Sequence, residues 1–127
     1  MVGIVLVSHS SEIASGLAEL AGQMAGADVP IEAVGGGPDG GLGTNGDRVR
    51  DALVSADAGD GVVVLGDLGS AILTVRHVLD RSGNGHVRLV DAPFVEGAVA
   101  AAVMASAGST LDDVARAAEE ARGVNKL

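Results

Sequence analysis

Alternating stretches of apolar and polar positions divide the chain into elements. Val2 to Val7 and Gly61 to Gly66 are almost unbroken runs of β-branched and aliphatic residues. Such runs read as strands covered on both faces, as in a parallel sheet. Ile31 to Val34, with Glu32 inside it, and Val87 to Val90 read as two shorter strands. Helical spacing fills the intervals. Ile13, Leu17, Leu20 and Met24 recur as one amphipathic stripe after Ser10 and Ser11, either of which can cap a helix. Thr44 and Asp47 form a capping pair for a short helix that carries Val49 and Leu53 to about Ala56. Leu68, Ile72, Val75 and Leu79 share a third helical face, and Val95, Val99 and Val103 mark a fourth helix. Thr110 with Asp113 opens a fifth, with Leu111, Val114, Ala118 and Ala121 on one side. The tail from Gly123 to Leu127 suits either a short edge strand or a frayed end.

Strands that alternate with helices predict an α/β fold. We expect a three-layer doubly wound sheet of four mainly parallel strands in the order 2-1-3-4, with the two most apolar strands central. In such sheets ligands bind beyond the carboxyl ends of the strands, at the switch point. Those ends are Ser8-His9-Ser10 and Asp67-Leu68-Gly69-Ser70. Fold logic therefore brings His9 and Asp67 together.

Composition narrows the function. The 127 residues include one aromatic, Phe94, so the core must be built from Val, Leu, Ile and Ala, and stacking platforms for single-stranded nucleic acid are missing. The formal net charge is −9, with one lysine, Lys126, and scattered arginines. No basic patch offers itself to a duplex. No Cys is present, which removes disulfides, thiolate nucleophiles and cysteine metal sites. No basic segment precedes the first apolar run, and Gly97 to Ala107 is too short for a bilayer, which needs ~20 residues. A cytoplasmic protein without membrane insertion is expected.

His9 can act as a nucleophile, since an imidazole has an unprotonated ring nitrogen available near neutral pH. A phosphoryl group on it would meet the open N–H groups and positive dipole of the following helix. Ser8, Ser10 and Ser11 add hydroxyl donors. Asp67 could accept the proton of one ring nitrogen and leave the other free to attack. Gly69 and Ser70 offer a second helix start to the same phosphate. Taken singly, His9 could be a turn residue and Asp67 a helix cap; the pairing of the two strand ends favours chemistry. His77 and His86 read as surface residues, and three histidines in separate elements argue against a metal site. The loop Gly41-Leu42-Gly43-Thr44-Asn45-Gly46 matches G-x-G-x-x-G, but it follows the second strand at a distance rather than the first directly. It could bind a nucleotide, fold over His9 with Gly43 and Thr44 reaching the phosphate, or merely connect.

Val5-Leu6-Val7-Ser8-His9-Ser10, Leu42-Gly43-Thr44, Gly66-Asp67-Leu68-Gly69-Ser70-Ala71 and Ala92-Pro93-Phe94-Val95-Glu96-Gly97 together resemble the mannose-type enzyme IIA family of the bacterial sugar phosphotransferase system. The similarity is to the branch that serves phosphoenolpyruvate-dependent dihydroxyacetone kinase. It implies a single enzyme IIA domain over 1–127, a homodimer, and often an added antiparallel edge strand. It implies that His9 is phosphorylated on Nε2 by phospho-HPr while Asp67 orients the ring. The acceptor would be ADP on a nucleotide-binding kinase subunit, whose ATP phosphorylates dihydroxyacetone held by a third subunit. No cofactor is implied on this chain; ADP, ATP and Mg belong to the partner. The sugar-transport relatives pass phosphate to a IIB protein, and tend to carry Thr-His-Gly and Gly-Gly-Ser/Thr-Pro segments. This chain has Ser8-His9-Ser10 and Gly69-Ser70-Ala71-Ile72, which favours the dihydroxyacetone branch. A reading of another class is a non-catalytic nucleotide-sensing module built on the glycine loop.

Overall fold

A computed structural model describes residues 1–37, 39, 41–82 and 85–127. The chain runs β1 (Gly3–Ser8), α1 (Ser11–Ala25), β2 (Ile31–Gly35), α2 (Gly46–Ala56), β3 (Val62–Gly66), α3 (Gly69–Ser82), β4 (Val87–Leu89), α4 (Phe94–Ser106), α5 (Leu111–Glu120) and a short 3-10 turn (Ala121–Gly123). The four strands form one parallel sheet in the order β2-β1-β3-β4, as the sequence pattern predicts. Two cores flank it. Ile4, Leu6, Val63 and Leu65 point to one side and pack with α1, α4 and α5. Val5, Val7, Val62 and Val64 point to the other and pack with α2 and α3. Alternate side chains of one strand serve opposite faces, which is why β1 and β3 had to be apolar throughout.

The helices turn smaller residues inward than the large apolar stripes suggest. In α1 the buried side chains are Ala14, Leu17 and Ala21, while Ile13, Leu20 and Met24 are exposed. In α4 the buried face is Gly97, Ala98, Ala101, Ala102 and Ala105, and Val95 and Val103 face outward. Alanine faces let the helix axes lie close to the sheet and to each other, so contact area comes from backbone approach rather than side-chain bulk. In α3 the buried positions are Ala71, Val75 and Val78, whereas Leu68 is 62% exposed.

The short helix α2 is capped by Asn45, whose side chain accepts from the amides of Asp47 and Arg48 at 3.0 and 3.4 Å. Thr44, the expected cap, points its hydroxyl at Thr74 of α3 instead, at 2.8 Å. Thr110 caps α5 as expected, accepting from Asp113 N at 3.3 Å. Val124 to Leu127 form no strand; Lys126 pairs with Glu96 at 2.7 Å. Of the glycine-rich insert, Pro38 and Gly40 lie outside the described residues, as do Gly83 and Asn84 of the turn before His86.

The sheet register places the site. Val7 stands beside Gly66 on one side and Val34 on the other, and Ser8 beside Gly35. Asp67 N donates to Val7 O at 3.1 Å, extending the ladder one residue past β3. Asp67 therefore lies level with Ser8, and His9 follows directly, within reach of the Asp67 carboxylate.

Candidate functional site

His9 and Asp67 meet at the carboxyl ends of the two central strands. His9 Nδ1 is 3.0 Å from Asp67 Oδ1. The Asp67 carboxylate accepts three further bonds. Leu68 N donates to Oδ1 at 2.7 Å, while the Ser8 hydroxyl and His9 N donate to Oδ2 at 2.8 and 3.1 Å. Burial alone would push the Asp67 carboxyl up. The bonds from the Ser8 hydroxyl, the His9 amide, the His9 ring and the Leu68 amide outweigh it and hold the group below the ordinary aspartate range.

An ionised carboxylate only accepts, so Nδ1 must carry the ring proton. The lone pair then sits on Nε2. That nitrogen contacts the Ser70 hydroxyl in the first turn of α3. The imidazole is thus anchored at one nitrogen and offered at the other, the arrangement a nucleophilic histidine needs. The His9 side chain keeps 24% of its surface exposed and that of Asp67 15%, so a partner can reach the ring.

Two helix starts converge here. Ser10 caps α1, its hydroxyl accepting from Ile13 N at 3.3 Å. The amides of Ser11 and Glu12 in α1, and of Gly69 and Ser70 in α3, have no acceptor among the described residues. Such unpaired first-turn N–H groups, with the dipoles behind them, favour an anion.

The remaining sequence candidates lie near His9, but several of their donors are already committed. Gly43 N donates to His9 O at 2.9 Å, with Gly43 at φ +133°, a conformation that side chains rarely adopt. Thr44 meets Thr74, and Thr74 donates to Ser70 O at 3.1 Å. The glycine loop is thereby tied to both His9 and α3. Ser10 is occupied as a cap. Ser11 lies on the opposite side, lining a groove with Gly35 and Arg48. Ser8 differs most from expectation. It is fully buried, donates to Asp67 and accepts from Ser10 N at 3.0 Å, so its hydroxyl braces the carboxylate and does not face a phosphate. Thr74 is invisible to a sequence reading, because a threonine inside a helix carries no pattern of its own. His77 is exposed, as expected, and so is His86, which nonetheless has a bonding partner. No group of three or more His, Cys, Asp or Glu side chains suited to a metal occurs among the described residues.

A doubly wound α/β domain that presents an aspartate-held histidine between two helix N-termini defines a class of histidine-centred α/β proteins. Residues 3–115 match the EIIA-man family, the fructose IIA component of the phosphotransferase system, and the chain belongs to that family. It is similar to the DhaM phosphoryl donor subunit of the PEP-dependent dihydroxyacetone kinase of Escherichia coli K12. There, 39% of 120 residues are identical, covering 90% of this chain and 25% of that protein. It is similar to a DhaM subunit of Listeria innocua, 42% identical over 106 residues, which covers 81% of this chain and 85% of that one. A DhaM phosphotransferase subunit of Lactococcus lactis is 37% identical over 112 residues, covering 88% and 89%. Among solved structures, EF1359, a protein of unknown function, superposes with a TM-score of 0.83 at 34% identity, covering 94% of this chain and 95% of the other.

Proposed function

We propose that this chain is a phosphoryl-carrier subunit of a phosphoenolpyruvate-dependent dihydroxyacetone kinase, and that His9 carries the phosphoryl group on Nε2. The observation that supports it most is the Asp67 contact at Nδ1, which leaves Nε2 as the free nitrogen. Nε2 attacks the donor's phosphorus as the donor's own bond to that phosphorus breaks, its electron pair staying with the donor; the His9 ring becomes cationic, because Nδ1 keeps its proton. The Asp67 carboxylate, held ionised, offsets that charge. Ser70 turns its hydroxyl from Nε2 to a phosphoryl oxygen, and the open amides of the two helix starts meet the others. No proton has to leave the site in either direction.

The donor in this reading is phospho-HPr, charged by enzyme I. The acceptor is ADP held by the nucleotide-binding kinase subunit, which works with the subunit that binds dihydroxyacetone; nucleotide and Mg stay with those partners. The link to a dihydroxyacetone kinase follows the printed names of the relatives; the donor, the nucleotide and its Mg are what the family resemblance implies. The reading places the chain in the cytoplasm with its donor. Among the described residues, no helix is long and apolar enough to cross a membrane. We also propose a homodimer. The outward-facing Ile13, Leu20 and Met24 of α1 and Val95 and Val103 of α4 supply apolar surface for it, and light scattering on the purified chain tests it.

A sensor built on the glycine loop finds less support, because Asn45 already occupies the amides at the start of α2. The acceptor is tested by discharge. Phosphorylated protein should lose its phosphoryl group to the ADP-loaded kinase subunit and keep it in the presence of a IIB protein; the reverse would assign it to sugar transport.

A further inference from the structure

A cleft of about 400 Å³ opens beside Asp67, and its far end, around Arg76, has no part in the loading step proposed above. One wall is the end of β3 and the start of α3, with Asp67, Gly69, Ile72 and Arg76; the other runs from Leu89 to Ala92. Its size suits a small organic ligand.

Arg76 is distinctive. All but two of the chain's eight lysines and arginines bond to a carboxylate or a backbone carbonyl. Among the described residues, only Arg76 and Arg81 have guanidinium groups without a partner. Arg81 lies in the last turn of α3, where a cation suits the helix dipole. Arg76 lines the cleft. The acidic groups there do not answer it. Asp67 already holds four donors, and Asp91 pairs with Arg122 at 3.3 Å. An exposed arginine without a protein partner is thus kept in an acidic protein, in a cleft whose near end is Asp67, the residue that holds the His9 ring.

Arg76 follows Gly69 by seven residues, just short of two helical turns, so the two share a stripe of α3 about 10 Å long. Side chains on a helix lean toward its N-terminus. A single phosphoryl group on Nε2 is too short to meet both the first turn and Arg76. A diphosphate chain is long enough.

We propose that this cleft receives the phosphate chain of a nucleoside diphosphate presented by the acceptor subunit, with Arg76 binding the phosphate that does not react. This rests on the carrier reading. The step balances within the site. The Nε2–P bond breaks, its electron pair returns to the ring, and a new P–O bond forms to the terminal oxygen of the diphosphate. The ring ends neutral with its proton on Nδ1. Bringing a diphosphate against a phosphorylated histidine sets anion against anion, and Arg76 supplies the counter-charge. The phosphocarrier donor brings no such chain, so Arg76 serves the second half-reaction.

The test measures both halves for wild type, Arg76→Gln and Arg76→Lys. Loading is followed from phospho-HPr, and discharge to the nucleotide-binding kinase subunit charged with ADP. The proposal expects discharge by Arg76→Gln to fall about tenfold or more relative to loading, the scale of a charge-assisted hydrogen bond, with partial recovery in Arg76→Lys. Binding of the nucleotide-free subunit should be unaffected. Equal discharge by wild type and Arg76→Gln overturns the proposal, as does an equal fall in both halves. An affinity loss that appears equally without nucleotide means that Arg76 meets a protein carboxylate, and also overturns it. A wild type that never loads defeats the carrier reading itself, and that failure shows before any variant is compared.

Discussion

Asp67 Oδ1 stands 3.0 Å from His9 Nδ1 while Asp67 Oδ2 accepts the His9 backbone amide at 3.1 Å. One carboxylate holds both the ring and the main chain of His9, and it stands just past the end of the neighbouring strand. The pair is therefore only as well placed as the β1–β3 register.

Replacing Asp67 with Asn keeps the shape and removes the charge. The cation that forms on the ring during attack loses its counter-ion, and either tautomer becomes acceptable. We expect Asp67→Asn to slow phosphorylation of His9 by at least ~10–100-fold, the scale on which losing the partner that orients a metal-bound imidazole lowers activity. Rapid-quench phosphorylation measures it, and an unchanged rate would remove Asp67 from the mechanism.

The same carboxylate predicts how stability depends on pH. Its folded-state value lies below the ordinary one, so the folded protein prefers it ionised. Its stabilisation is complete above the ordinary aspartate value of ~3.9 and is lost as pH falls through the lower folded value. Urea melts of wild type and Asp67→Asn should differ fully above about pH 4 and converge as pH falls from there through the lower folded value. A gap that does not change with pH would mean that the carboxylate's charge is not stabilising.

Ser8→Ala tests the brace beneath the site. The variant removes a donor to Asp67 and leaves Ser10 N without its acceptor, at a buried residue whose two partners are half-buried. A loss of about 1–3 kcal/mol is expected. Ser11→Ala should lie within about 0.5 kcal/mol of wild type, since the Ser11 hydroxyl is exposed and has no partner among the described residues. Chemical denaturation separates the two.

Gly35→Ala tests the approach of β2 to the start of α1. A Cβ there would lie 2.5 Å from Ser10 O and 2.6 Å from Ser11 Cα, both backbone atoms that cannot swing aside. We expect roughly 2 kcal/mol of destabilisation, with slower phosphorylation because the first turn of α1 is pushed from His9. Wild-type stability would show that this contact is softer than its geometry.

The sheet was legible because strands buried on both faces must be apolar at every position, and two such runs, ending in Ser8 and Gly66, stand out. From their ends the His9–Asp67 meeting follows. The helix faces were harder to read. Ala14, Ala21, Ala98, Ala101 and Ala105 make the contacts, and alanine is common enough on exposed faces that its spacing carries little signal beside Ile13, Leu20 or Met24.

Individual hydroxyls were harder still. Ser8, Ser10 and Thr44 lie near His9 while Ser11 faces another groove, yet sequence treats all four alike as donors. Their roles diverge through one-residue differences in direction. Ser8 is the last residue of a strand and turns inward to Asp67, Ser10 faces its own helix, and Thr44 reaches Thr74. Such directions depend on how chain ends from different strands settle against each other, which no local pattern encodes.

The central claim is that His9 takes a phosphoryl group, and intact-mass spectrometry tests it most directly. The protein is mixed with phosphoenolpyruvate, enzyme I and HPr, alongside His9→Ala. One acid-labile phosphoryl group is predicted on the wild type and none on the variant. An unmodified wild type, with HPr itself phosphorylated in the same tube, or a variant modified as fully as wild type, would contradict it.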